Sequence, residues 1–143
     1  NLDSKRDWGH AKDYVFMQWL MLQQEKPDDF VIATGRMESV RKFIELCSIS
    51  LGWNKNKNTS GIIWEGKGLE EIGIREDTKK IVVRIDKRYF RPTEVDQLLG
   101  KSEKARVKLG WEPETSLEEL INEMIEFDKK EVQKEIYLKT KNL

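Results

Sequence analysis

The sequence predicts an α/β fold, because apolar segments of helical length alternate with short runs rich in β-branched residues. Residues 14–22, YVFMQWLML, are apolar except for one glutamine and are predicted as a helix that ends before Pro27. Residues 30–33, FVIA, form a short β-like run, and residues 81–85, IVVRI, are β-branched at four of five positions. A helix that is apolar on nearly every side packs against more than one neighbour, so we expect part of the natural fold to lie upstream.

End signals delimit three more helices. Ser39 and Ser102 stand where N-caps are expected, Gly110 follows a predicted helix end, and Ser116 with Glu119 has the S-x-x-E spacing of a capping box. The predicted helices cover residues 40–51, 102–109 and 117–128, and the chain beyond is expected to fray.

The middle of the chain is predicted to contain little regular structure. Residues 62–64 are a candidate strand, and residues 67–80 are polar enough to be a loop or a weak hairpin. Residues 53–61, WNKNKNTSG, have the composition of an exposed loop and are expected to contribute little chemistry.

Composition excludes several classes of function. The 143 residues carry 26 basic and 26 acidic side chains, so no net charge attracts nucleic acid or an anionic membrane, and phosphate contacts must come from local arginines. The single cysteine, Cys47, excludes an internal disulfide and is predicted to be a buried thiol, and no cluster has metal-ligand spacing. With no membrane-length apolar block and no signal pattern, we expect a cytoplasmic protein.

Three charged side chains are candidates for binding an anionic ligand. Arg6 directly precedes the first helix, where it can face an anion or form a surface pair with Asp7. Arg91 offers fork-like donors that fit phosphate, and Glu94 can accept from two ribose hydroxyls, with Pro92 restricting the loop between them. The alternative for Arg91 and Glu94 is an ordinary loop ion pair.

Other residues invite functional interpretations that the sequence does not favour. His10 is the only histidine and is interpreted as structural, because no nucleophile accompanies it. Trp8 and Trp111 can stack on a base or sugar, although Trp111 follows a helix end and more often packs there. Tyr137 and Lys141 have a Tyr-x-x-x-Lys spacing by chance in a lysine-rich tail, and we assign them no role.

Three segments resemble GDP-mannose 4,6-dehydratases of the extended short-chain dehydrogenase/reductase superfamily. They include the RDWG motif and the R-P-x-E motif and occur in the family's order, at residues 1–35, 88–100 and 104–124. The resemblance implies the C-terminal, substrate-binding part of such an enzyme, with the N-terminal Rossmann domain missing. Residues 1–128 would then be the sugar-nucleotide-binding lobe, with residues 1–35 the crossover from the Rossmann domain, and residues 129–143 a charged tail.

The resemblance also implies a substrate, which this chain would bind, and catalytic residues that lie elsewhere in the enzyme. Arg6 and Arg91 would contact the diphosphate of GDP-mannose and Glu94 its ribose, whereas the family's glycine-rich turn and catalytic Thr, Glu and Tyr-x-x-x-Lys cannot be placed in this chain. The parent enzyme would form GDP-4-keto-6-deoxymannose with NADP recycled in each turnover, and would be a homo-oligomer. This chain alone would bind no cofactor and would not catalyse. The alternative is a standalone, non-catalytic nucleotide-sugar binder or regulatory partner.

Overall fold

The computed structural model describes residues 1–91 and 93–141, which contain both helices and short strands. The helices are α1 (Ala11–Leu22), α2 (Val40–Ser50), α3 (Glu103–Leu109) and α4 (Leu117–Thr140). The strands are β1 (Lys5–Asp7), β2 (Met37–Ser39), β3 (Ile62–Glu65), β4 (Ile72–Arg75) and β5 (Ile81–Arg84). This mixture confirms the predicted α/β class.

The strands form two separate antiparallel sheets. β1 pairs with β2 so that Arg6 lies opposite Glu38, and an isolated parallel bridge joins Lys5 to Gln97 on a later segment. β3, β4 and β5 form the second sheet in that order. Residues 67–80, predicted as a loop or a weak hairpin, contain the single strand β4, which forms hairpins with β3 and β5 outside that range. β1 and β2, each only three residues long, were not predicted because so short a run carries no readable period.

The strand predicted at residues 30–33 is wrong for the described chain. These residues join no ladder, because a strand requires a partner for its backbone N–H and C=O groups. Their side chains alternate nonetheless: Phe30 and Ile32 pack against the core, whereas Val31 is 51% exposed.

The most completely buried cluster lies between α1 and α3. Met17 and Ala105 are 0% exposed and Trp111 is 1% exposed. The indole N–H of Trp111 donates to the carbonyl of Asp13 at 2.9 Å, which satisfies its polar atom inside the core. The Asp13 carboxylate in turn accepts from the backbone N–H of Thr115 at 3.0 Å. Asp13 of α1 is therefore bonded to both Trp111 and Thr115, in the segment between α3 and α4.

The helix starts follow the predicted N-caps in two of three cases, and Gly110 ends α3 as predicted. The hydroxyl of Ser39 accepts from the Lys42 backbone N–H at 3.0 Å, and Ser116 forms the predicted capping box with Glu119. Ser102 precedes α3, but its hydroxyl makes no capping bond, because its backbone is not in the extended conformation that aims a cap side chain at the helix.

Helix α4 packs its first half against α2 and then continues well past that contact. Ile121 is 1% exposed, whereas Ile136 on the same helix is 56% exposed. The predicted fraying after Asp128 is wrong for residues 129–140, where good helix formers and a Lys139–Glu135 ion pair at 2.6 Å continue the helix into solvent. The division into a lobe and a tail at residue 128 stays a prediction.

The second sheet is attached to α2 through Arg41 and Glu45, and the indole N–H of Trp64 on β3 donates to Oε1 of Glu45 at 3.0 Å. Arg41 donates to both carboxylate oxygens of Glu71, at 2.7 and 3.1 Å, and its guanidinium lies 4.8 Å from the ring centre of Trp64. The neighbouring loop over residues 53–61 is a loop as predicted, and its tip at residues 55–58 is exposed. Its ends are packed, with Trp53 lying under the guanidinium of Arg75 at 4.6 Å.

We expect Ile121→Ala to lower the free energy of unfolding by about 2–5 kcal/mol, because truncating a fully buried isoleucine loses apolar burial and leaves a cavity. The matched control is Ile136→Ala on the exposed half of α4, where the change should lie within about 0.5 kcal/mol. Urea unfolding followed by circular dichroism measures both. Equal losses for the two variants would contradict the packing of α4 described above.

Candidate functional site

The candidate site is built around strand β1, which lies between two distant segments of the chain. On one side β1 pairs with β2, and on the other the Lys5 backbone N–H donates to Asp96 at 2.8 Å while its carbonyl accepts from Leu98 at 3.3 Å. The segment that follows the R-P-x-E motif is thereby placed beside the RDWG motif. Arg6 stands in the middle of this arrangement.

Arg6 and Glu94, two of the three predicted ligand-binding residues, are in direct contact. A terminal nitrogen of Arg6, Nη2, lies 2.5 Å from Oε1 of Glu94, and Nη1 donates to the carbonyls of Lys5 and Val95, each at 2.8 Å. The Arg6 and Glu94 side chains are 24% and 26% exposed. A guanidinium has five N–H donors, so within the described residues these three bonds leave two for an anion.

Arg91, the third predicted residue, is not in contact with the other two. Its side chain is exposed, and no salt bridge joins it to a carboxylate within the described residues. The loop ion pair between Arg91 and Glu94 is therefore not formed, because Glu94 pairs with Arg6. Pro92, which was expected to fix the loop between them, lies outside the described residues.

Asp7 forms contacts that the sequence did not predict. Its Oδ1 accepts from the backbone N–H of Thr34 at 2.9 Å and from the Thr34 hydroxyl at 2.7 Å, and its Oδ2 accepts from the Gly35 N–H at 2.9 Å. The surface pair with Arg6 that was the alternative interpretation is absent from the described contacts of Asp7. The N-cap residue of α1 is His10.

Gly9 and Tyr14 pack directly against one another beside Asp7. A Cβ added at Gly9 would lie 2.0 Å from the Tyr14 hydroxyl oxygen, so no larger residue fits at this position of the RDWG motif without displacing the ring. The Tyr14 hydroxyl lies 3.5 Å from Oδ1 of Asp7, the long limit of a hydrogen bond. Burial raises the pKa of the Tyr14 phenol, and the neighbouring Asp7 charge raises it further, so the phenol stays protonated as a donor.

The other aromatic and histidine candidates have structural partners. The indole N–H of Trp8 donates to the Glu38 carbonyl at 3.0 Å, and its ring lies 4.5 Å from that of Phe43. Nδ1 of His10 accepts from the Lys12 backbone N–H at 2.9 Å, which leaves Nε2 facing Glu123 at 3.2 Å. The structural interpretation of His10 therefore fits its contacts. Trp111, already placed in the core, is too buried to stack on a ligand.

Several other candidate sites are not supported in the described part of the chain. No group of three or more His, Cys, Asp or Glu residues there is arranged to bind a metal ion, and no helix there is long and apolar enough to cross a bilayer. Cys47 is partly buried, and burial raises the pKa of its thiol, as does the charge of Asp128. A cavity of about 730 Å³ is lined by Thr34, Gly35 and Arg36 together with the α3 region, but it includes none of the three predicted ligand-binding residues.

Comparison with known sequences identifies close relatives. A family model described as GDP-mannose 4,6 dehydratase matches residues 1–124. The GDP-mannose 4,6 dehydratase of Cricetulus griseus is 51% identical over 128 residues, which is 90% of this chain and 32% of the relative. The enzyme of Vibrio cholerae is 48% identical over 149 aligned residues, covering 97% of this chain and 38% of the relative. The chain thus spans about a third of the length of these relatives.

Solved structures show the same fold at much lower identity. UDP-glucose 4-epimerase of Thermotoga maritima, solved with UDP-glucose, has a TM-score of 0.64 at 23% identity and covers 92% of this chain and 34% of its own. RMD of Pseudomonas aeruginosa, solved with NADPH, has a TM-score of 0.61 at 14% identity, covering 88% and 33%. These likenesses show the fold alone, whereas the sequence match confirms the resemblance inferred from the motifs: the chain belongs to the GDP-mannose 4,6-dehydratase family.

Proposed function

We propose that this chain is the part of a GDP-mannose 4,6-dehydratase, a lyase, that binds the GDP portion of GDP-mannose. Arg6 and Arg91 contact the diphosphate, and Glu94 accepts hydrogen bonds from the ribose. The complete enzyme converts GDP-mannose into GDP-4-keto-6-deoxymannose, a step toward GDP-fucose and related deoxysugars. Membership of the family supports the reaction, and the geometry around β1 supports the binding residues.

The contact between Arg6 and Glu94 is the observation that carries the proposal. These residues are separated by 88 positions in the chain, yet their charged groups meet at 2.5 Å with about three quarters of each side chain buried. Charged side chains are seldom buried to this extent without a charged partner or a ligand. The arrangement is suited to a nucleoside diphosphate, because it presents an anion-binding group beside a group that accepts from hydroxyls.

Arg91 supports the proposal through its position and exposure. It lies three residues before Glu94 on the segment that runs beside β1, and its exposed guanidinium can reach a ligand placed over that segment. The neighbouring Arg88, in contrast, is paired with Asp86 at 2.6 Å. Arg88 therefore has a carboxylate partner, whereas no salt bridge in the described chain includes Arg91.

The exposed surface of α1 supports the inference that the chain packs against a further part of the protein. Val15, Phe16, Trp19 and Leu22 are 60%, 49%, 54% and 82% exposed, which is unusual for four large apolar side chains of one short helix. The neighbouring residues 30–33 belong to no strand in the described chain. Because the relatives are about three times as long, we assign the covering partner to the remaining portion of such a protein.

We assign the cofactor and the catalytic groups to that remaining portion. NADP recognition in a Rossmann domain requires a glycine-rich turn between a parallel strand and a helix N-terminus, where the pyrophosphate binds. In the described residues the named strands pair antiparallel, and only one glycine stands between β1 and α1. NADP supplies hydride transfer when bound, whereas this chain's residues orient the substrate. The complete enzyme is proposed to be a homo-oligomer.

We expect Arg6→Ala and Arg91→Ala, each made in the full-length protein, to weaken GDP binding roughly 10- to 100-fold, the scale of one lost charge-assisted hydrogen bond. The matched control is Arg88→Ala, which removes an arginine from the same segment but one that is paired and 78% exposed. Isothermal titration calorimetry with GDP measures all three variants. Unchanged GDP affinity in both Arg6→Ala and Arg91→Ala would rule out the proposed diphosphate site.

We expect Phe16→Ser combined with Trp19→Ser to have opposite effects in two contexts. In the 143-residue chain the double change should reduce self-association, because it removes exposed apolar surface, whereas in the full-length protein it should lower the melting temperature, because that surface is buried there. Light scattering and calorimetry measure the two effects. Val132→Ser is the control, since Val132 is also an exposed apolar residue, at 52%, but lies on α4.

A monodisperse 143-residue chain that the double change leaves unaltered would favour the standalone binder instead. In that case the α1 surface would not require a covering portion. If the double change leaves the melting temperature of the full-length protein unchanged, the proposed packing of the α1 surface is contradicted.

A further inference from the structure

Asp7 adjoins the proposed phosphate-binding residue Arg6 and forms its contacts elsewhere. Successive side chains on a strand point to opposite faces, so on β1 the guanidinium of Arg6 and the carboxylate of Asp7 diverge. Arg6 reaches Glu94 and Val95, whereas Asp7 reaches Thr34 and Gly35. The two residues therefore connect β1 to two different parts of the chain.

The Asp7 carboxylate accepts its three short hydrogen bonds from one turn, and the Tyr14 hydroxyl lies at the long limit of a fourth. The three short bonds, of 2.7–2.9 Å, come from Thr34 and Gly35, and Thr34 itself is only 5% exposed. Gly35 has φ of +76°, a left-handed backbone that lets the chain turn directly after these two N–H groups and before β2. Hydrogen bonds to an ionised acceptor are about twice as strong as neutral ones, so these contacts fix the end of β1 firmly.

Arg6 lies between Lys5 and Asp7, and both of these residues are hydrogen-bonded to other segments of the chain. On its N-terminal side, the backbone of Lys5 is bonded to Asp96 and Leu98. On its C-terminal side, Asp7 pairs with Met37 on β2, and its side chain is bonded to the Thr34–Gly35 turn. Without the Asp7 side-chain contacts, the backbone carrying Arg6 loses its side-chain anchor to that turn.

We propose that Asp7 is a positioning residue for Arg6: by bonding the Thr34–Gly35 turn, its carboxylate fixes the strand from which the Arg6 guanidinium reaches a diphosphate. This inference rests on the proposed function, because it takes the diphosphate of a nucleotide as the ligand of Arg6. Asp7 itself touches no substrate in this scheme.

The test is Asp7→Asn in the full-length protein, with GDP and guanosine as separate probes. An asparagine offers one acceptor oxygen and turns an NH₂ group toward the backbone donors, so it cannot accept from both Thr34 and Gly35 as the carboxylate does. We expect a roughly tenfold loss of GDP affinity and a clearly smaller loss of guanosine affinity, because Arg6 contacts the diphosphate directly and reaches the ribose only through Glu94.

A double-mutant cycle separates positioning from general destabilisation. In an Arg6→Ala background, Asp7→Asn should cause no further loss of GDP affinity, because the residue through which it acts is gone. The matched control is Asp13→Asn, which alters another buried carboxylate that accepts from a backbone N–H, that of Thr115, but has no contact with β1 residues in the described chain. It should lower stability without changing the ratio of GDP to guanosine affinity.

Thr34→Val gives a milder variant should Asp7→Asn fold poorly. It removes the hydroxyl donor and keeps both backbone donors, and we expect a smaller loss of GDP affinity in the same direction. Equal losses for GDP and guanosine, or additive effects of Asp7→Asn and Arg6→Ala, would overturn the positioning role while leaving the diphosphate site intact. An Arg6→Ala variant with unchanged GDP affinity would overturn both.

Discussion

The candidate site depends on the placement of one three-residue strand between segments that are far apart in the sequence. β1 pairs with β2 on one side and is bridged to Gln97 on the other, so the backbone hydrogen bonds of a very short strand join the beginning, the middle and the later part of the chain. Backbone pairing is directional and leaves little freedom of register. The Arg6–Glu94 contact is a consequence of that register, because neither side chain could meet the other if β1 were shifted by one residue.

Two packed regions hold the helices that follow β1 and β2. The cluster around Met17 and Trp111 fixes α1, and with it the chain that leaves β1 through Gly9. The packing of α4 on α2 fixes the helix that follows β2. Apolar burial stabilises both regions, whereas the polar contacts of Asp7 and Arg6 determine the geometry between them. Stability and specificity of the site therefore come from different sets of residues.

Local sequence signals identified the helices and the strands β3 and β5, but not the contacts between distant segments. Ser39 and the Ser116–Glu119 box marked helix starts correctly, because capping depends on neighbouring residues. The length of α4 was underestimated, since a charged, exposed helix shows little apolar period. The segment 30–33 was predicted as a strand from its composition, yet pairing depends on a partner that composition does not reveal.

The same limit applies to the site. Arg6, Arg91 and Glu94 were chosen through motifs that resemble a known family, and spacing alone favoured ordinary ion pairs. The Arg6–Glu94 contact spans 88 positions and the Asp7–Thr34 contact 27, and nothing in the local sequence signals either one. If the three-residue strand β1 had been recognisable in the sequence, the alternation of side chains along it would have predicted that Arg6 and Asp7 face opposite sides.

Helix α4 has a practical consequence for work on this protein. Its 24 residues extend about 36 Å, and the side chains of its second half are exposed along that length. A fluorophore or an affinity handle attached near Lys134 would lie on an exposed helical segment, far along the chain from β1. Such a label would report tumbling and proximity to other molecules while leaving the hydrogen bonds around Arg6 undisturbed.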